Sequence, residues 1–431
     1  MQAFSSTGNN VRLIISGKDI FRRLKTGKIG LELEAQRIRK NGHLAQTKHP
    51  FAGEIYIDRD FGESQIEINT PPESSVQNAR YFLHEQLVTV HRKLEGMEEL
   101  LWPFSCPPAL GSDDEIRIAE YTGKQEKKTL YRRYLAEKYG KRLMTFSGIH
   151  FNYSFDDELL KYSFRQPEAA FRELKDRFYL QLAEKTLAYS WVPVALLSAS
   201  PLMDGSYYAP EQEGKTLVTP YASVRCSAEG YWNPFMPVLS YESLSAYTDS
   251  IEAYKAAGRL RHEGELYYPV RIKPSGKYSL KKLQKEGVSH IELRMIDLNP
   301  LDEDGIDLRD LEFLQLFLIW LASQERKVLG ETGQKQAIRN HKAAAELAWD
   351  AVDIYTDEEG RIPLADALHR VLENMRQTLG GMDGAKDVLD YQMDKVKHEE
   401  YRYARRVENM YGKDYLKGGI HRAEQLQKAF K

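Results

Sequence analysis

Gly30-Leu31-Glu32-Leu33-Glu34 alternates strictly between apolar and charged side chains. A β-strand sends successive side chains to opposite faces, so this period of two predicts a strand with Leu31 and Leu33 in a core and Glu32 and Glu34 on the other face. The same alternation recurs at 58–67, in Ser147-Gly148-Ile149-His150-Phe151-Asn152, at 223–227 around Arg225, at 265–273, and in Ile291-Glu292-Leu293-Arg294. Amphipathic strands interleaved irregularly with helices predict an α+β fold, its antiparallel sheet covered by helices on one face. A doubly wound parallel sheet would need strands apolar on both faces, which these are not.

In a half-solvated sheet the outer residues are ordinarily a mixture of Thr, Lys, Ser and Glu. Here they are Glu32 and Glu34, Glu63 and Glu67, His150 and Asn152, Arg225, Tyr267 with Arg271 and Lys273, and Glu292 with Arg294. Like charges crowded on one face cost stability unless a cation neutralises them. Two such pairs fit an ordinary solvated edge strand; with Asp60, His150 and Glu292 added, a cation site becomes the better reading. Mg²⁺ takes oxygen ligands and often shares them with substrate phosphates, and Mn²⁺ accepts a histidine more readily. Each of Arg225, Arg271, Lys273 and Arg294 can simply pair with a neighbouring glutamate. Together they can also stabilise charge on a transferring phosphoryl group, a task that needs no P-loop.

The chain has 431 residues, 42% apolar and 29% charged, enough for one large domain or two to three ordinary ones. A net charge of −2 gives no whole-chain case for nucleic acid or an anionic membrane. Cys106 and Cys226 belong to no CxxC or Cys/His cluster and read as small buried hydrophobes. Residues 1–17 lack the basic start and apolar run of a signal peptide, and the most apolar stretch, 313–322, is too short to cross a bilayer. The expectation is a cytoplasmic protein.

Helical spacing predicts helices over 73–96, 127–139, 168–188, 241–258 and 307–325, the last apolar enough to be buried. After about residue 330 the strand signal disappears, and 340–352, 363–379 and 385–411 read as helices. This suggests a catalytic sheet domain at 1–330 and a helical extension at 331–431. In the last helix Leu389, Val396, Tyr403 and Met410 recur every seven residues, with Met393 and Val407 between them. That seam is expected to pack on its own chain, as in a monomer.

Seven blocks occur together in order: Gly30 to Glu34 with Arg37; Asp60-Phe61-Gly62-Glu63 through Glu67 and Pro71; Leu101-Trp102-Pro103 with Ser105; Lys128 to Arg132; Ser147 to Asn152; Arg225 to Tyr231; and Glu265 to Arg271 followed by Ile291 to Pro300. In this order the sequence resembles the bacterial glutamate–cysteine ligases over residues 30–325. The resemblance implies a glutamine-synthetase-like antiparallel sheet with a concave polar face. It also implies an ATP-dependent reaction: the γ-carboxylate of L-glutamate is phosphorylated and then attacked by the amine of L-cysteine, the first step of glutathione biosynthesis. It places Glu32, Glu34, Asp60, Glu67, His150 and Glu292 at metal positions for Mg²⁺, with Mn²⁺ able to substitute. Arg294 takes the position that stabilises phosphoryl transfer, and Arg225 is its partner on phosphate or glutamate carboxylate. Arg271 and Lys273 remain as phosphate or nucleotide contacts. Phe61, Tyr131, Leu135, Met144, Tyr231 and Tyr267 fall around the acceptor amino acid.

Two departures from the family pattern stand out. Met144 replaces a glutamine near the acceptor side chain, which admits a more apolar amine such as 2-aminobutyrate. The segment between Tyr231 and Tyr267 is short, as in the ligase half of the fused Gram-positive glutathione enzymes. No ATP-grasp half follows in this sequence, so the dipeptide is the expected product. Two alternatives are carried forward: a sibling ligase using another amine, and a non-catalytic nucleotide-binding relative.

Overall fold

The Leu-Glu alternation lies within a long strand, β1 (Gly27–Arg39), whose Leu31, Leu33 and Ala35 are buried on one face. The computed structural model describes residues 10–15, 18–165, 167–356 and 360–430, so most of the stretch read for a leader lies outside the described residues. After β1 come β2 (Ile57–Arg59), β3 (Gln65–Asn69), β4 (Glu99–Leu101), β5 (Ile149–Phe155), β6 (Leu202–Asp204), β7 (Thr216–Val218), β8 (Val270–Lys273), β9 (His290–Ile296), β10 (Asp353–Thr356) and β11 (Gly360–Pro363). The main sheet runs β2-β3-β1-β5-β9-β8, with β4 on the far end of β1. Every pairing in it is antiparallel. The predicted fold class is the observed one.

The helices are α1 (Lys18–Leu24), α2 (Val76–Glu95), α3 (Glu126–Tyr139), α4 (Asp157–Phe164), α5 (Phe171–Ala188), α6 (Trp191–Leu197), α7 (Leu244–Ala256), α8 (Leu280–Glu286) and α9 (Leu308–Ser323). The apolar face of the sheet is covered by α2, α5, α6 and α9. In α2 the Ser75 hydroxyl caps the first turn by accepting from the Asn78 amide at 3.1 Å. Its buried Val76, Ala79, Leu83, Leu87 and Val90 form the stripe that meets the sheet. Helix α9 is buried on nearly every side, which accounts for its apolar sequence. Each fully buried leucine or isoleucine in this layer stabilises the fold by ~1.5–3 kcal/mol, so the sheet's orientation is firmly set.

The carboxy-terminal region departs from its sequence reading. It comprises α10 (Glu331–Ala343), α11 (Leu364–Leu379), α12 (Ala385–Lys397), α13 (Tyr403–Tyr411) and α14 (Tyr415–Ala429), together with the β10–β11 hairpin. The expected helix at 340–352 therefore ends at Ala343. The expected helix at 385–411 breaks at His398, whose backbone is extended. Leu389, Met393, Val396, Tyr403 and Val407 bury within their own chain, while Met410 is 61% exposed. One buried polar cluster ties these helices to α9. The Asp310 carboxylate accepts from Lys395 Nζ at 2.9 Å, Gln392 Nε2 at 2.8 Å and the Tyr403 hydroxyl at 2.6 Å.

Candidate active site

The register of the sheet assembles the polar face in rows. Glu34 lies opposite Glu67, and Glu32 lies between Asn69 and His150. Asn152 faces Glu292, which in turn faces Arg271. Between β5 and β9 the register shifts where Ile149 and Phe151 pair with Ile296 and Leu293. The extra residue on β9 disrupts strict alternation, so Met295 as well as Arg294 reaches the cleft.

Three stretches read as strands prove to be something else. Residues 58–67 form a hairpin, and its turn carries Asp60 and Phe61 into the cleft while Glu63 turns away. The Glu63 carboxylate instead accepts from the His49 amide and from Arg59, both at 2.8 Å. Residues 223–227 form a turn closed by the Ser227 amide donating to Ser223 O at 3.0 Å, and Arg225 projects from it. Only 270–273 of the 265–273 stretch is strand. Glu265 is buried in a short helical turn, where it binds Lys138 and accepts from the Tyr139 hydroxyl at 2.8 Å.

Every residue singled out for the site lines one cleft on this face: Glu32, Glu34, Asp60, Glu67, His150 and Glu292; Arg225, Arg294, Arg271 and Lys273; and Phe61, Tyr131, Leu135, Met144, Tyr231 and Tyr267. Sequence reasoning assigned no part to Arg132, Phe146, Trp232 or His341, which line it as well. The cleft encloses ~1270 Å³ including its open mouth.

Charge divides the cleft into two halves. On one side His150 Nδ1 is 3.0 Å from Glu32 and 3.6 Å from Glu292. Lys273 Nζ bridges the same two carboxylates at 3.1 and 3.3 Å, and Arg294 meets Glu292 at 2.9 Å. Burial works against ionisation there, yet Lys273 and Arg294 outweigh it: Glu292 is held down to about 2 and Glu32 well below the usual carboxylate range. Burial together with Arg294 lowers His150 to about 4, so the imidazole is neutral and able to ligate. On the other side burial and mutual repulsion dominate. Glu67 is pushed up to about 8 by burial and by Asp60 and Glu32, and Glu34 and Asp60 are raised as well.

Ligand atoms of Glu32, His150 and Glu292 lie within 4.8 Å of one another, the tightest candidate metal cluster among the described residues. Electrostatics puts the stronger demand for a cation across the cleft: Lys273 and Arg294 outweigh burial at Glu32 and Glu292, whereas at Glu34, Asp60 and Glu67 the arginines Arg225, Arg132 and Arg294 only partly offset burial and mutual repulsion. Both sides of the face thus offer carboxylate oxygens to a cation. Buried oxygens without hydrogen-bond partners, Glu292 Oε2 and Asn152 Oδ1, add open lone pairs. The donor set therefore suits a hard cation.

At the far end the cleft turns aromatic. Tyr231 and Tyr267 pack with ring centroids 4.3 Å apart, and both hydroxyls face the Met144 sulfur, at 3.5 and 4.0 Å. Met144, Phe61 and Leu135 share one apolar cluster against which Tyr131 packs. The cysteines behave as small buried groups: burial raises both thiols, Cys226 to about 12.

The glutamate-cysteine ligase family profile matches residues 14–257 and 255–344. The bifunctional glutathione biosynthesis protein of Listeria monocytogenes is 32% identical over 413 residues, covering 91% of this chain and 53% of that protein. The glutamate–cysteine ligase of Clostridium acetobutylicum is 31% identical over 437 residues, covering 89% of this chain and 90% of that one. The chain thus spans about half the length of its fused relatives. Among solved structures, a bifunctional glutathione synthetase from Pasteurella multocida matches with a TM-score of 0.81 at 26% identity, covering 95% of this chain and 53% of that one. A glutamate–cysteine ligase from Francisella tularensis, solved in complex with AMP, shares the fold with a TM-score of 0.84 at 22% identity, covering 94% and 89%. Fold and cleft place the protein among ligases of glutamine-synthetase-like architecture. Within them, the chain belongs to the glutamate–cysteine ligase family.

Proposed function

We propose that this protein joins the γ-carboxylate of L-glutamate to the amine of L-cysteine at the expense of ATP. The observation that carries the reading is the row of carboxylates and cations that the β3-β1-β5-β9-β8 register lays across one cleft in a chain of this family. Glu32, Glu34, Asp60, Glu67, His150 and Glu292 would hold Mg²⁺, or Mn²⁺ in its place. The bound cation supplies neutralisation of phosphate charge. Arg294 is kept protonated by its carboxylate neighbours and stabilises the γ-phosphoryl group as it passes to a glutamate oxygen, releasing ADP. Arg225 binds phosphate or the glutamate carboxylate, and Arg271 and Lys273 hold the nucleotide phosphates. The acceptor amine then attacks the acyl carbon, the carbon–oxygen bond to phosphate breaks, and inorganic phosphate leaves.

The aromatic end receives the acceptor among Phe61, Tyr131, Leu135, Met144, Tyr231 and Tyr267. Because Tyr231 turns its hydroxyl to the Met144 sulfur, that wall is soft and apolar. It accommodates a thiol and also the methyl group of 2-aminobutyrate. In this reading residues 1–330 form the catalytic part and 331–431 a helical extension, with His341 reaching back into the cleft. The enzyme works as a cytoplasmic monomer on small molecules. Among the described residues no helix is long and apolar enough to cross a membrane.

The test is ADP release with ATP, Mg²⁺ and L-glutamate, amino acids being added singly and products weighed by mass spectrometry. Cysteine-dependent turnover yielding γ-glutamylcysteine is the expected result. Turnover with another amine alone would move the protein to a sibling reaction. A folded sample that forms no γ-glutamyl product with any acceptor would overturn the reading.

A further inference from the structure

We infer that Asp297 is a positioning residue, fixing Arg225 in the cleft through the turn that carries it. The inference rests on the reading of Arg225 as a cation of the ligase site. Arg225 projects from a turn, so no sheet register holds it in place. Its guanidinium donates to the carbonyl oxygens of Arg294 at 2.7 Å and Ile296 at 3.4 Å. It also occupies the space beside Gly148, where a Cβ would stand 2.5 Å from Cζ. These contacts seat the guanidinium at the end of β9; they do not hold the backbone of its turn.

That backbone is held by main-chain hydrogen bonds, among them Val224 N donating to Ser200 O and Ser223 N to Ala345 O, both at 3.2 Å, and by side-chain bonds from the residue just past β9. The Asp297 side chain is buried, and its Oδ2 accepts from the Ala199 amide at 3.0 Å and the Ser200 hydroxyl at 2.6 Å. Its Oδ1 accepts from the Ser223 hydroxyl at 3.0 Å. Ser223 Oγ in turn accepts from the Cys226 amide at 3.1 Å, next to Arg225 in sequence. The Ser223 hydroxyl gives its one hydrogen to Asp297 and keeps lone pairs to accept from the turn, so it links the carboxylate to the backbone beside Arg225. Three remote segments, 199–200, 223–226 and 294–297, converge on this carboxylate.

All the partners of Asp297 are donors. An asparagine of the same shape would direct an N–H₂ at one of them, leaving a buried donor unpaired. The carboxylate is therefore required as a carboxylate, and its effect reaches the reaction through Arg225.

A double-mutant cycle tests this. Wild type, Asp297→Asn, Arg225→Ala and the double variant are compared for kcat/KM, with melting profiles and the Mg²⁺ dependence of the rate followed in parallel. Asp297→Asn is expected to lower kcat/KM by about tenfold or more in the wild type and by less than about twofold in the Arg225→Ala background, with Mg²⁺ dependence unchanged. Equal losses in both backgrounds, or no loss in either, would overturn the inference while leaving the ligase reading intact. An Arg225→Ala variant of full activity would overturn the assignment of Arg225 and the inference with it. If Asp297→Asn does not fold, Ser223→Ala takes its place in the same cycle, since it removes the side-chain link from the carboxylate to the turn and leaves the bonds of Asp297 to Ala199 and Ser200 in place.

Discussion

Glu67 shows at the scale of one residue what the cleft sacrifices in stability. It faces Glu34 across the β1–β3 ladder, and burial with Asp60 and Glu32 raises its carboxyl to about 8. A carboxyl whose folded pKa exceeds its unfolded value stabilises the fold only below the unfolded value, and that contribution is lost as pH rises through the folded one. At neutral pH Glu67 therefore works against folding unless a cation sits beside it. Glu67→Gln should raise the stability of metal-free protein by roughly 1–3 kcal/mol at pH 7. The same change should weaken Mn²⁺ binding by about tenfold or more, since a charged oxygen ligand is lost. Melting in EDTA reads the first effect and calorimetric titration with Mn²⁺ the second. Unchanged Mn²⁺ affinity would remove Glu67 from the ligand set.

Among elements, α14 makes a prediction opposite to the general rule. Replacing a helical glycine by alanine usually stabilises by about 1 kcal/mol. At Gly419, however, a Cβ would stand 2.1 Å from the fully buried Trp102 ring, which Phe104 and Tyr415 hold at centroid distances of 5.2 and 5.4 Å. Gly419→Ala should therefore destabilise by roughly 1–3 kcal/mol through overpacking, read as a lower urea midpoint; a stabilised variant would mean that the helix end moves freely. The elements also show what was legible beforehand. β1, β5 and β9 could be read because one face is apolar and the other polar along most of their length, and the resulting register brought most of the carboxylates together. The turn around Arg225 gave the same alternating signal for another reason: the backbone folds back on itself and buries Ala222, Val224 and Cys226. What separates turn from strand there is a set of partners at 199–200 and 294–297, distant in sequence. The acceptor end was visible only through family resemblance, because aromatic residues on α3 and in loops carry no pattern that distinguishes a pocket from a core. His341 did leave a trace, since Gln334, Ala337, Ile338 and His341 share the buried stripe of α10.

For the whole molecule, the end of α14 closes over α2. Phe430 stacks on His91 of α2 at a centroid distance of 4.6 Å with the rings 6° from parallel, and Gln427 donates to Glu99 O at 2.9 Å. Burial lowers the His91 imidazole from 6.5 to about 4. Its folded pKa lies below its unfolded one, so the stability it permits is complete above about pH 6.5 and is lost as pH falls toward 4. One such group costs about 1.4 kcal/mol per pH unit across that window, or about 3 kcal/mol in all. His49, lowered to about 4, and His341, lowered to about 3, both chiefly by burial, act in the same direction. The raised carboxyls of Glu34, Asp60 and Glu67 act in the opposite one, gaining stability on acidification. A raw pH profile mixes the two, so the informative quantity is a difference. His91→Phe keeps a ring against Phe430 and removes the titration. Its stability relative to wild type should rise steadily from pH 6.5 to 4.5, measured by urea unfolding at each pH. Parallel profiles for the two proteins would show that His91 reaches water in the folded state and that the end of α14 does not seal it.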